Sequence, residues 1–416
     1  MKTHIITTLV LALSLSVQAA SLPTSKPEKQ GIRPDGLAEV HALVSSYVKE
    51  SKYAGASMMV VRNGYIVDQQ AWGHRDLRGR APVKLDTIHH IYSMSKVITS
   101  VAALQLVEEE RIQLDADITQ WIPELKNLQV FTGGTADSPQ LTPAKKSITV
   151  RMLLNHTSGL TYGFFNSHPV QKIYGRHNLW GSASLDEFIA KVGKLPLMSE
   201  PGTQFHYGIN LDVLGLLIQR VTEKPFEYVV AERITKPLGM TDTAYHVAES
   251  KRHRLSSIHK QSLDGKLIRT KASLGSDPNK GQGFACGGAG MFSTLSDYAL
   301  LAQALVNGGE LNGTRILKES TMKMALENSL TTTSSPYHEF QKGDGWGLFS
   351  AIRVDDDLAG EPGTGSVFYW SGAATTHFFG DPEKNLVGLV FCQHFPFDQH
   401  GLFGKYRTSV YKALAE

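Results

Sequence analysis

The chain has 416 residues, 41% apolar and 19% charged, and its 42 Lys plus Arg against 39 Asp plus Glu leave a net charge of +3. That balance argues against a nucleic-acid protein, and the length and composition exclude a disordered chain or a disulfide-stapled miniature. The two cysteines, Cys286 and Cys392, lie in apolar contexts that read as packed thiols, with a single bridge between them left open.

Residues 1–20 (MKTHIITTLVLALSLSVQAA) place Lys2 before an apolar run from Ile5 to Val17 and small residues at Ala19 and Ala20. This is the pattern of a secretory signal cleaved near Ala19 to Ala20, so a periplasmic or secreted protein is expected. The run is shorter than the roughly 20 apolar residues of a spanning helix, and no later stretch is long enough.

After a Pro-rich lead, Leu37 to Val48 repeats apolar residues at helical spacing. ASMMVVRNGYIVDQQAW then reads as two strands around a primed turn at Asn63-Gly64. MSKVITSVAALQLVEEERIQL has the pattern of a helix buried on most sides near its start and solvated at Glu108 to Arg111. From Leu125 to Pro278 the character changes to helices and long polar loops, including TGGTADSPQLTPAKK and the aromatic stretch TYGFFNSHPVQKIYGRHNLW. Strand patterns return in LFSAIRVD, SVFYWSG, THFFGD and LVGLVFCQ, followed by a closing helix in HGLFGKYRTSVYKAL. The expected architecture is α/β: an antiparallel sheet flanked by helices and drawn from both ends of the chain, residues 21–124 and 279–416, with a mostly helical domain inserted at 125–278.

Sixteen histidines invite a metal hypothesis, yet there is no His-Glu-x-x-His string and no Cys-x-x-Cys pair, and adjacent His89 and His90 would point apart on an extended chain. No metal and no cofactor is expected. The Gly-x-Ser-x-Gly elbow is also absent. What remains is Ser93-Met94-Ser95-Lys96, whose serine and lysine would share one helical face. Ser-x-x-Lys occurs five times, at Ser46, Ser93, Ser257, Ser320 and Ser409, so context has to choose. Ser93 alone stands where a strand-like lead meets the first turn of an apolar helix, beside unpaired N–H groups and the positive end of the dipole. Burial of Lys96 there would lower its proton affinity toward that of a general base. The plain alternative makes Ser93 an N-cap and Lys96 a surface lysine.

With these residues, and with LLNHTSGL (153–160), PGTQFHYGINLDVLG (201–215), GGAGMFSTLSDYALLAQALVNGG and FYWSGAATTHFFGDPEKNLVGLVFCQ following in order, the chain resembles the serine β-lactamase and penicillin-recognising superfamily. It is most similar to the class C-like family VIII carboxylesterases. The resemblance implies the β-lactamase/transpeptidase-like fold, with Ser93 as nucleophile and Lys96 and Tyr207 as proton carriers. It also implies an oxyanion hole from the backbone N–H groups of Ser93 and Ala373. The asparagine that follows the family's tyrosine by two positions is replaced by Ile209, with Asn210 one residue further on as a substrate-binding candidate. The family's Lys-Thr-Gly motif reads Trp370-Ser371-Gly372, which removes the cation that would bind an anionic substrate. Trp370 offers an apolar wall, Ser371 a hydroxyl and Gly372 close backbone approach.

Tyr92, Tyr162, Phe164, Phe165, Trp180, Trp346 and His377 flank these blocks as pocket-lining candidates. The expected function is hydrolysis of a small ester or amide through an acyl-enzyme. A weak β-lactamase or a D-amino-acid-specific peptidase is the alternative within the fold, and an inactive ligand-binding homologue the alternative of another class. The number of subunits is not written in the sequence.

Overall fold

The structure is a computed structural model that describes residues 21–271, 284–330 and 342–415. The expected signal segment, residues 1–20, and the expected boundary at 278/279 lie outside the described residues. No described helix is long and apolar enough to cross a membrane.

The sequence's first periodic segment forms helix α1 (Pro34–Lys49), with Pro34 at its first turn where a missing N–H costs nothing. Strands β1 (Gly55–Arg62) and β2 (Tyr65–Asp76) follow as the expected hairpin. Asn63 and Gly64 both take positive φ, 53° and 79°, as a primed two-residue turn demands. A short strand β3 (Ala81–Pro82) adds to the far edge of β2. The remaining strands come from the other end of the chain: β4 (Asp344–Trp346), β5 (Ala351–Arg353), β6 (Phe368–Gly372), β7 (Thr376–Asp381) and β8 (Leu386–Phe391). The eight make one antiparallel sheet in the order β4-β5-β6-β7-β8-β1-β2-β3.

The two ends of the chain meet at the sheet's centre, where β1 pairs with β8 from Ser57 opposite Phe391 to Arg62 opposite Leu386. Every residue of β8 is buried, because helices cover both faces. Helices α1 and α5 (Leu402–Lys412) pack on one face, and α4 (Leu295–Val306) packs on β7, β8 and β1. Helix α2 (Ser95–Glu108) is buried over twelve residues from Ser95 to Leu106 and packs against α3 (Asn210–Thr222).

The intervening region is less helical than expected. The polar stretch read as a loop is a hairpin pairing Gln129–Gly134 with Pro139–Pro143. A second hairpin, Ile258–Gln261 with Leu267–Thr270, is extended in parallel by His394–Phe395. Neither shows the apolar alternation of a half-buried strand, since Pro139–Pro143 and Leu267–Thr270 are largely exposed and little selects for an apolar face. Cys286 and Cys392 are free, buried thiols, so the bridge left open by the sequence is not made.

Candidate active site

Ser93 sits on a single 3₁₀ turn, Tyr92–Met94, that runs into α2 at Ser95, so the helix begins two residues later than the serine. Tyr92 before it takes φ 42°, a left-handed conformation that costs a bulky residue of order 1–3 kcal/mol and persists only where surroundings fix it. Here they do. The Tyr92 ring stacks on His90 at 3.6 Å, Ile91 N–H donates to the Met291 carbonyl at 3.0 Å, and the Tyr298 hydroxyl donates to the Met94 carbonyl at 3.0 Å. The turn leaves Ser93 partly exposed between buried neighbours.

Lys96 is fully buried. Its Nζ donates to Ser93 Oγ at 3.3 Å, to the Tyr162 hydroxyl at 2.9 Å and to the Gly288 carbonyl at 2.7 Å. It also stands 4.7 Å from the centre of the Tyr207 ring. In the other four Ser-x-x-Lys strings the lysine (Lys49, Lys260, Lys323 or Lys412) is exposed. Burial therefore separates one string from four look-alikes, a distinction that spacing cannot make.

Tyr207 is buried beside Tyr162, ring centres 5.6 Å apart, and its hydroxyl accepts the Trp370 indole N–H at 3.3 Å. Trp370 in turn meets Trp346 edge-on at 4.5 Å, and Trp346 is anchored by donation to the Leu154 carbonyl at 3.0 Å. The sequence thus brings Ser93, Lys96, Tyr207 and Trp370 together from three distant segments.

Strand β6 reaches the site along a partly open edge. β5 pairs with it only at Phe368 and Tyr369, so Trp370–Gly372 are held in the ladder through β7. A Cβ on Gly372 would stand 2.3 Å from both the Ile91 carbonyl oxygen and Thr376 Oγ1. Only glycine lets the strand end, with Ala373 next, lie this close to the Ser93 turn. Ser371 lies opposite His377 in register, and its hydroxyl pairs with His377 Nδ1 at 2.8 Å. Burial, with Arg407 nearby, holds that imidazole well below its usual pKa and therefore neutral.

Asn210 departs from the expectation. It is fully buried at the start of α3, where its amide donates to His156 Nδ1 at 2.8 Å and to the His206 carbonyl at 3.3 Å, and accepts from the Ser158 hydroxyl. Its polar atoms fasten the 153–160 turn to the helix. His156 in that turn is held well below its ordinary pKa by burial and by the Lys96 charge.

Three participants were not assigned from the sequence. Tyr162, read only as pocket lining, is bonded to Lys96, and the signal was its place two residues past the 153–160 block. The Gly288 carbonyl carries no side-chain signature. Asp212, fully buried, accepts from the Cys286 thiol and the Gly288 N–H, each at 2.8 Å. Phe164 and Phe165 continue the aromatic wall outward from Tyr162, with Phe164 half exposed at its outer end.

An amine that donates to a serine hydroxyl and to one phenol, with a second phenol ring 4.7 Å away, can relay a proton to and from an attacking oxygen without a metal or an imidazole. The family model described as Beta-lactamase matches residues 40–409. The lovastatin esterase of Penicillium rubens is 30% identical over 347 residues, covering 78% of this chain and 85% of its own. Esterase EstB of Burkholderia gladioli is 26% identical over 377 residues, covering 85% and 89%. Among solved structures, EstCE1, described as a hydrolase with promiscuous acyltransferase activity, superposes with a TM-score of 0.75 at 22% identity over 92% of this chain and 99% of that one. The chain belongs to the beta-lactamase family and is an enzyme of its serine hydrolase type.

Proposed function

We propose that the chain is an exported carboxylesterase that forms an acyl-enzyme on Ser93. The observation that carries this reading is the contact of fully buried Lys96 with the partly exposed Ser93 Oγ. In the first step neutral Lys96 takes the hydroxyl proton as Ser93 Oγ attacks the ester carbonyl carbon. The oxyanion is met by the backbone N–H groups of Ser93 and Ala373, each worth about 3 kcal/mol in comparable hydrolases. The carbon–oxygen bond to the alcohol then breaks, and Tyr207 passes a proton to the departing alkoxide. Water attacks the acyl carbon in the second step, giving its proton back through the same pair, and Ser93 is released.

A neutral ester is favoured because Trp370, an apolar indole, stands where β-lactamases carry the lysine that pairs with a substrate carboxylate. The esterase relatives support that class. Export rests on the apolar run of residues 5–17.

The test is turnover of p-nitrophenyl esters of graded length beside a chromogenic cephalosporin and a D-Ala-D-Ala peptide, with fluorophosphonate labelling read by mass spectrometry. Ester turnover with label on the Ser93 peptide is expected, and Ser93→Ala abolishes both with the fold intact. Tyr162→Phe, which removes a hydrogen bond to the ammonium that forms as Lys96 takes the proton, worth about 1.5–3 kcal/mol, lowers kcat by roughly 10–100-fold. Fast lactam turnover with inert esters overturns the substrate class, and label on another serine overturns the site.

A further inference from the structure

Linked to Lys96 through Gly288 lies a buried carboxylate to which the acyl-enzyme chemistry gives no part. Asp212, on the first turn of α3, is fully buried. Its Oδ1 accepts from Cys286 Sγ and from Gly288 N–H, both at 2.8 Å, while Oδ2 has no hydrogen-bond partner among the described residues. Gly288, whose N–H binds Asp212, turns its own carbonyl to Lys96 Nζ, which donates to it at 2.7 Å. One residue, through its two flanking peptide groups, therefore joins the carboxylate to the amine.

The turn that carries this residue is clamped where it stands. Thr99 Oγ1 donates to the Gly287 carbonyl at 2.7 Å. A Cβ on Gly287 would lie 2.3 Å from the Leu211 carbonyl oxygen, and one on Gly288 would lie 2.8 Å from Asp212 Oδ2. These contacts press Cys286–Gly288 onto α2 and α3 and leave the carboxylate no room to turn elsewhere.

We infer that Asp212, held by the Cys286 thiol and the Gly288 amide, is a positioning residue that fixes the pH at which Lys96 loses its proton. The inference rests on the proposed role of Lys96 as base and adds what tunes it. A buried negative charge one bridging residue away favours the ammonium, so it keeps the amine protonated to higher pH than burial alone allows. Other groups face the pair as well: Tyr162 and Tyr207 at the amine, His156 from the 153–160 turn, and Tyr245 beside Cys286. His156 is neutral, the Tyr245 phenol is pushed up by burial, and Glu227 acts on Tyr245, which leaves Asp212 as the carboxylate that, among the described residues, is hydrogen-bonded to the residue bridging to Lys96. Burial pushes Asp212 above the ordinary carboxylate range, while Lys96, the Cys286 thiol and the Gly288 amide each pull it back. Burial and Asp212 hold the Cys286 thiol well above its usual pKa, as a proton donor must be.

The experiment is the pH profile of kcat/KM for p-nitrophenyl acetate in the full-length enzyme and three variants. Asp212→Asn keeps the size and removes the charge, so the acid limb moves to lower pH by about one unit or more, the shift typical of losing an opposite charge nearby. Cys286→Ala removes one donor and moves the limb less, in the same direction, whereas Cys286→Ser keeps a donor and leaves it in place. An Asp212→Asn profile lowered equally at every pH, or Cys286→Ser behaving like Cys286→Ala, overturns the inference. If Asp212→Asn fails to fold, the two cysteine variants decide. Failure of Ser93 labelling defeats the acyl-enzyme reading, whereas an unmoved limb with Ser93 labelled defeats the tuning role alone.

Discussion

The Trp370 indole donates its N–H to the Tyr207 hydroxyl at 3.3 Å, which ties the strand edge to the phenol beside Lys96. The hydrogen bond gives Trp370 a role beyond that of an apolar wall. It fixes the rotation of the hydroxyl that is to pass a proton, so the indole acts on chemistry as well as on binding.

Trp370→Phe keeps a flat ring and removes the donor. A neutral hydrogen bond is worth about 0.5–1.5 kcal/mol, so kcat falls roughly 2–10-fold while KM for a small ester stays close to wild type. Steady-state kinetics with p-nitrophenyl acetate check this, and a change confined to KM would assign the indole to binding alone.

Gly372 makes a sharper prediction, because its added methyl would meet the Ile91 carbonyl and Thr376 Oγ1 at 2.3 Å. Gly372→Ala forces the strand end away from the Ser93 turn at a cost of about 1–3 kcal/mol. A lowered Tm together with a loss of turnover of at least about 10-fold is expected. Unchanged kcat at a lowered Tm would mean that the backbone spacing does not matter to the reaction.

Stability should fall on mild acidification. Burial lowers His89, His90, His206, His259 and His394 to about 4 from an ordinary 6.5. A group with a depressed folded pKa contributes fully above 6.5 and loses its contribution as pH falls through 4, because the unfolded chain binds the proton first. For a fully buried ring such as His90 that is about 2 kcal/mol by pH 5. Asp297, raised to about 6 by burial, runs the other way by a single proton. The Tm is therefore expected to hold near pH 7 and to drop steeply between pH 6.5 and 4, with a shallower drop in His90→Gln. A Tm flat across that window would contradict the buried neutral imidazoles.

Six strands of the large sheet were legible because apolar runs and the Asn63-Gly64 turn leave period and punctuation in the sequence, whereas the short edge strands β3 and β4 carry too few residues to show a period. The Gln129–Gly134 hairpin was not, since its partner strand is exposed and its residues are chosen for solubility and turning. In the site, Ser93, Lys96 and Tyr207 could be named from motif order. The contacts of Tyr162, Asp212 and Gly288 depend on tertiary placement: one is a backbone carbonyl, and the other two look like ordinary members of a loop and a helix. Asn210 shows the converse. Its position after Tyr207 suggested a substrate contact, yet the first turn of α3 directs its amide back onto the 153–160 turn.

The pairing of β1 with β8 sets an order on biosynthesis. Residues 57–62 emerge from the ribosome long before their partners at 386–391 exist, so until then β1 presents an unfilled edge. Closing so long a loop is slow relative to local helix formation, and the sheet cannot be completed until residue 391 has been made. Nascent chains thus stay open while more than three hundred further residues are made, and a truncation before residue 386 would strand an apolar edge ready to pair with another molecule.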